Sequence, residues 1–269
     1  MNRENLILSN SCFRRITEAK WLNSLERLNI KQIEFLAASP YYSIFDYDTA
    51  QDRKKVLINW REVFREKNIS VFSMVPEYHD YPVNLASPDQ KIRQRSIEYY
   101  LSYIEDAAEM DVAYVYVNPG WYTVDFTKEQ CFQYAVDAVK YLSDEAKKRK
   151  VALYIGALLT EVTNIVHDYA SMCLFDKAVN KNTLLYALEL DTAAKLEENP
   201  AWYIHSFGER LICARTSSDI SKNKKIMNLW KKCYALNSGI KLAVNLDSQD
   251  YWERPDEYME NILNNAEKL

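Results

Sequence analysis

A (β/α)8 barrel is the α/β fold this sequence predicts, on three observations. Short β-rich runs alternate with longer amphipathic segments along all 269 residues. The runs are mostly continuous apolar stretches, as parallel strands buried on both faces require. No strand–GxGxxG–helix unit is present, which counts against the alternative of a doubly wound open sheet holding a dinucleotide. No internal repeat, low-complexity tract or Pro/Gly/Ser linker is visible, so one domain over residues 1–269 is expected.

Taken in order, the predicted strands are Asn5–Ser9, Gln32–Leu36, Ser70–Met74, Ala113–Val117, Val151–Ile155, Leu185–Leu190, Arg210–Arg215 and Lys241–Leu246. Between the third and fourth, Pro88–Asp111 reads as a helix with Ile92, Ile97, Leu101, Ile104 and Ala108 along one stripe. Ser87 is its expected cap and Pro88 its first residue. Tyr99, Tyr100 and Tyr103 on the same segment read as helix-surface and helix–barrel packing, although the chain's twenty tyrosines and six tryptophans could also line a sugar pocket. Phe126–Lys150 ends in "DEAKKRK", which sets cations at a helix C-terminus. Arg254–Leu269 is the closing helix. His167 and His205 fall in helical patterns and read as surface or packing residues.

Composition narrows the function classes. Apolar residues make up 48% and charged residues 27%, the balance of a globular chain. A net charge of −4 offers no general attraction to nucleic acid or to anionic membranes. No apolar run approaches the roughly 18 residues of a membrane span, and "MNRENLILSNSCF" has too short an apolar core for a secretory signal. A cytoplasmic protein is expected. Cys12, Cys131, Cys173, Cys213 and Cys233 are scattered and form no CxxC pair, so neither a disulfide framework nor a zinc knuckle is indicated.

In a barrel of this kind, function sits at the C-terminal ends of the strands. Glu34 lies near the end of the second strand, and Glu77 and His79 just past the third. Asn118 follows the fourth, before a Pro119–Gly120 turn, and Gly156 ends the fifth. Glu189 and Asp191 close the sixth; two apart, they are expected on one side of the strand. Arg215 ends the seventh, with Asp219 beyond it, and Asn245 and Asp247 the eighth. A buried strand carries such acids only when they are paired, and Arg215 on the next strand is the expected partner of both Glu189 and Asp191. The group reads equally as a structural plug or as the lining of a polar ligand site. Three separated histidines supply no metal cluster of the usual kind.

Several stretches resemble a known family. "YPVNLASPDQKIRQRSIEYYLSYIEDAAEMDVAYVYVNPGW" is similar to the third and fourth units of the xylose-isomerase-like TIM barrels, which show an N-L-A-S-P-D loop, a helix, and a strand closing on H-P-G. "ALYIGALLTEVTNIV" resembles the family's l-x-l-E-P-L-T-x-x-E-S-N-x-V. "LELDTAAK" resembles L-D-T-x-H, and "ERLICARTSSD" resembles x-R-L-x-H-V-H-x-x-D with its Asp one residue late. The resemblance implies a sugar or sugar-phosphate isomerase or epimerase whose divalent metal is held by Glu, Asp, His and Glu from strands five to eight. Those positions carry Gly156, Asp191, Arg215 and Asn245 here, so only Asp191 survives. The histidines of H-P-G and L-D-T-x-H are replaced by Asn118 and Ala194.

The resemblance therefore implies a divergent member without the Mn, Mg, Co or Zn centre, with no other cofactor expected. Arg215 can replace part of a metal's charge but not its open coordination positions, and it cannot serve as a base. The catalytic candidates are then Glu34, Glu77, His79 and Glu189, and the substrate-binding ones Asn118, Asp191, Arg215 and Asn245. Either a metal-free isomerase or epimerase acting on a small sugar or sugar phosphate, or a catalytically degenerate barrel that binds a polyol or serves a partner, is consistent with these residues. A metal-dependent enzyme with an unorthodox ligand set is a third, weaker reading. The resemblance also allows a homo-oligomer, by analogy alone.

Overall fold

The computed structural model describes residues 3–77, 83–246 and 253–267. Eight parallel strands close into a barrel in chain order: β1 (Leu6–Ser9), β2 (Gln32–Ala37), β3 (Ser70–Pro76), β4 (Tyr114–Tyr116), β5 (Ala152–Gly156), β6 (Leu184–Glu189), β7 (Leu211–Thr216) and β8 (Lys241–Val244), with β8 pairing back onto β1. Every predicted run is a strand, displaced by no more than two residues at an end. The (β/α)8 barrel predicted from alternating apolar runs is the fold observed.

The helices form the outer layer: α1 (Glu18–Arg27), α2 (Ala50–Glu66), α3 (Gln90–Glu109), α4 (Lys128–Lys148), α5 (Tyr169–Val179), α6 (Leu190–Lys195), α7 (Pro200–Phe207), α8 (Lys224–Leu236) and α9 (Pro255–Glu267). None of the described helices is long and apolar enough to cross a membrane. The strand pleat divides the core in two. On β2, Ile33, Phe35 and Ala37 face the helices, whereas Leu36 joins Val75, Tyr116, Tyr154, Ala187 and Cys213 inside the barrel. With only four glycines in the chain, positive φ falls to other residues, among them Asn29, Asn68 and Asn180 at 50–52°. Asparagine is one of the few side chains that tolerates this conformation.

Four local expectations change. Helix α3 begins two residues later than the Pro88 start, because Asp89 is its cap and accepts from the N–H groups of Lys91 and Ile92 at 2.7 and 3.2 Å. A carboxylate serves the positive end of a helix better than a serine, and Ser87 instead accepts from the Asp89 N–H at 3.2 Å. The buried face of α3 centres on Ser96, Tyr99, Tyr100, Tyr103 and Ala107, with Ile97 and Leu101 only half-buried beside it. The tyrosines win that face because their hydroxyls find carbonyls at the strand ends: Tyr99 donates to Glu77 at 2.7 Å, and Tyr100 and Tyr103 donate to Asn118 and Ala37 at 3.3 Å. His167 lies outside any helix, since Asp168 and Ser171 form a capping box that starts α5 after it.

The fourth change bears on function. Strand β6 stops at Glu189 and α6 starts at Leu190. Asp191 therefore sits in a helical first turn, and the expectation that it shares a strand side with Glu189 fails, because the two-residue period holds only while the chain stays extended.

Candidate functional site

Inside the barrel, β2, β6 and β7 point Glu34, Glu189 and Arg215 at one another just below the mouth. Glu34 is fully buried, and Arg215 and Glu189 are 4% and 9% exposed. The Arg215 Nε and Nη2 donate to the two Glu34 oxygens at 3.1 and 3.0 Å, a two-point fork, and Nη1 donates to Glu189 Oε1 at 2.8 Å. Such forks are rigid because guanidinium and carboxylate are both planar. The guanidinium carbon also lies 4.2 Å from the centre of the Tyr116 ring, within range of a cation–π attraction. Burial alone would weaken the charge on Arg215; Glu189 and Glu34 outweigh it and hold its pKa well above the ordinary value.

Tyrosines from β4 and β5 complete the group. Tyr116 donates to Glu189 Oε1 at 2.8 Å, and the Tyr154 hydroxyl stands 2.9 Å from Ser73 and 3.3 Å from Glu34 Oε2. Tyr154 is the donor in both contacts, and its one proton has Ser73 Oγ as the nearer acceptor and Glu34 Oε2 as the farther. Burial, then the nearby carboxylates Glu189 and Glu34 respectively, push both phenols well above their usual pKa. They are donors here, not bases. Cys213, beside them, is also driven up by burial and remains a thiol rather than a nucleophilic thiolate.

Gly156 gains a physical role. A Cβ on it would meet Glu189 Oε1 at 2.4 Å, Glu189 Cγ at 2.6 Å and the Tyr116 hydroxyl at 2.8 Å. The Glu189 carboxylate thus lies across the end of β5, in the space a side chain at position 156 would take. Where the resemblance calls for a carboxylate from strand five, the structure has one from strand six.

Asp191 is not an Arg215 partner. It accepts from the Ser217 N–H at 2.8 Å and from the Ser218 hydroxyl, and so pins the loop after β7. Two causes act together: its place on α6 carries it past the strand layer, and the Arg215 donors are already turned to Glu34 and Glu189. Glu77 pairs with Arg14 at 3.1 Å, both about a quarter exposed, at the rim of the barrel. Asn118 accepts the Gly120 N–H at 2.9 Å through Oδ1. Asn245 extends the β7–β8 ladder by donating its N–H to Thr216 at 2.8 Å; its side chain makes no hydrogen bond among the described residues. His79 and Asp247 lie outside the described residues. Among those described, no three His, Cys, Asp or Glu side chains gather into a group able to hold a metal ion.

Around the mouth, the motifs behind the resemblance stitch loops together. Asn84 of "NLASPD" accepts from the Ala86 and Trp121 N–H groups at 3.0 and 3.1 Å and donates to the Trp121 carbonyl at 2.9 Å. Asn164 of "TNIV" does the same for Tyr122, accepting at 2.7 Å and donating at 3.2 Å. Gly120 takes φ +97°, and a Cβ there would lie 2.2 Å from Asn84 Oδ1. Position 120 admits glycine alone because of that close approach.

Sequence reasoning missed Tyr116, Tyr154 and Ser73. The available signal was polar groups at alternate, inward positions of otherwise apolar runs, Tyr116 in "YVYVN" and Tyr154 in "ALYIG".

Comparison with known proteins agrees with this architecture. A sequence-family model described as a xylose isomerase-like TIM barrel matches residues 22–193. No curated protein sequence matches the chain. Among solved structures, D-psicose 3-epimerase with D-tagatose from Clostridium cellulolyticum H10 superposes with a TM-score of 0.77 at 13% identity, covering 98% of each chain. The apo form of 3-keto-D-glucoside 4-epimerase from E. coli gives 0.74 at 12% identity, covering 97% of this chain and 99% of that one. The IOLI protein with a bound zinc atom gives 0.70 at 14%, covering 97% and 95%. At these identities the likeness is one of fold.

Proposed function

The chain belongs to the xylose isomerase-like TIM barrel family, and from that membership we propose that its barrel mouth receives a small sugar or sugar phosphate, as an isomerase or epimerase site working without the family's divalent metal. One observation carries the reading: a guanidinium, Arg215, stands bound to two carboxylates where the family resemblance calls for a metal-ligating histidine. The residues at the four ligand positions, Gly156, Asp191, Arg215 and Asn245, do not fit a divalent ion. Their one carboxylate already holds Ser217 and Ser218, and the guanidinium at a second of the four positions would repel a cation rather than bind it. What remains for a ligand is polar and uncharged or anionic: the amides of Asn118 and Asn245 and the outer face of Glu189.

The test is elemental mass spectrometry of the purified protein, followed by melting measurements with sugars in the presence of a chelator. The expected result is less than a tenth of a Mn, Mg, Co or Zn per chain, with a melting point raised by at least one sugar or sugar phosphate. One tightly held metal per chain would overturn the metal-free part, and indifference to every sugar would overturn the ligand class.

A second reading, a degenerate barrel that binds a polyol or serves a partner protein without turnover, has its own support. Both oxygens of Glu34 and both of Asp191 are engaged within the protein, leaving them nothing to offer a reacting group. Stabilisation by a sugar with no conversion would favour it.

A further inference from the structure

Glu189 differs from every other acid described at the mouth. Arg215 Nη1 and the Tyr116 hydroxyl both donate to its Oε1, each at 2.8 Å. Its Oε2 receives no hydrogen bond from the described residues, yet it is not sealed away, since the side chain keeps 10% of its surface exposed. A carboxylate held firmly by one oxygen, with the other open, is set up to exchange a proton in a fixed direction.

The remaining candidates lack that freedom. Glu34 is buried with both oxygens bonded to Arg215, and Asp191 is closed by Ser217 and Ser218. Glu77 stands at the rim against Arg14. Tyr116 and Tyr154 hold their protons tightly, as does Cys213. Of these groups, only Glu189 Oε2 remains.

We propose that Glu189 Oε2 is the single proton-transfer atom of this site, and that its substrate is an α-hydroxy carbonyl sugar isomerised between aldose and ketose on one face. This rests on the reading of the mouth as a sugar site. Inverting a carbon needs a base on one face and an acid on the other, whereas a shift between adjacent carbons needs only one group on one face. Glu189 removes the proton from the carbon beside the carbonyl, and the C–H electron pair forms the enediolate double bond as the carbonyl π pair moves onto oxygen. The same carboxyl, its proton exchanging with solvent while the enediolate stands, then protonates the former carbonyl carbon, while a hydroxyl proton passes between the two substrate oxygens. The exchange is redox-neutral and needs no co-reactant. Arg215 and Tyr116 are positioning residues that hold Oε1, and the Asn118 and Asn245 amides supply donors for the enediolate oxygens.

The experiment takes ketohexoses, pentuloses and their phosphates, selects those that raise the melting point, and follows each by NMR in D2O with chelator present. The expected product is the aldose, carrying solvent deuterium at the carbon that receives the proton. Glu189→Gln should lower the rate by roughly 10²–10⁴-fold while keeping the sugar-induced melting shift, because Gln retains an acceptor for Arg215 and Tyr116. Three results overturn the proposal: accumulation of a 3-epimer, as a second acid from His79 or Asp247 would give; an unchanged rate in Glu189→Gln; or a wild-type melting shift with no conversion. The product of the wild-type protein decides the stereochemical claim even if the variant fails to fold. If no sugar raises the melting point, it is the sugar-site reading that fails.

Discussion

The carboxylate of Glu189 lies over Gly156, so close that a Cβ on the glycine would stand 2.4 Å from Oε1. A side chain at 156 and the present place of Glu189 exclude each other, which makes the two positions one unit.

That unit predicts a coupling. Gly156→Ala should cost about 1–3 kcal/mol in urea unfolding, the usual range for overpacking a filled core. Glu189→Ala removes the obstruction but leaves Arg215 short of a partner. In the double variant the loss should be smaller than the sum by about 0.5–3 kcal/mol. Strict additivity would mean that the backbone yields at β5 and that the contact exerts no constraint.

Arg215 is the only cation described in the buried group, and removing it strands two carboxylates. Arg215→Met should cost about 3–5 kcal/mol, the penalty for breaking a buried ion pair from one side. Arg215→Lys keeps the charge but loses the two-point fork on Glu34, so an intermediate loss is expected. A Met variant within 1 kcal/mol of wild type, by the same denaturant measurement, would show that this network does little for the fold.

Building the metal site that the resemblance implies needs more than its ligands. Gly156→Glu, Arg215→His and Asn245→Glu together recreate the family's donor set, but the first collides with Glu189. The triple variant should therefore be poorly folded, and adding Glu189→Ala should recover both the fold and an affinity for Mn or Zn, read by calorimetry. A folded quadruple variant with no metal affinity would mean that β5, β7 and β8 are out of step with the family alignment.

A salt bridge outside the site supplies a pH prediction. Arg210 donates to both oxygens of Asp176 at 2.6 and 2.7 Å, tying α5 to the start of β7, and Tyr186 donates to Oδ1 at 2.7 Å. Burial pushes the Asp176 carboxyl up, and these hydrogen bonds outweigh it, so its pKa is lowered in the folded protein. The stabilisation is therefore complete above the unfolded value of about 3.9 and is lost as pH falls through the folded value. Asp176→Asn should flatten that acid limb of the melting curve and lower stability at neutral pH. An acid limb unchanged by the substitution would remove Asp176 from the account.

The barrel was legible in the sequence because strands and helices follow local periodicity, and each apolar run could be read without knowing its neighbours. The loop motifs were legible for a similar reason: Asn84, Gly120 and Asn164 lie near the strands whose ends they join. The departures from the resemblance could also be seen, as Gly156 and Asn245 standing where it calls for carboxylates. Only the tertiary structure decided what replaced them. Glu34 and Arg215 are 181 residues apart and meet because the sheet closes, a fact of register that no local window contains. Asp191 left the expected pair because the chain turned helical one residue too early for strand geometry to carry it there. Local chemistry determines which elements form, whereas the partner of a buried charge depends on where closure of the barrel places every other charge.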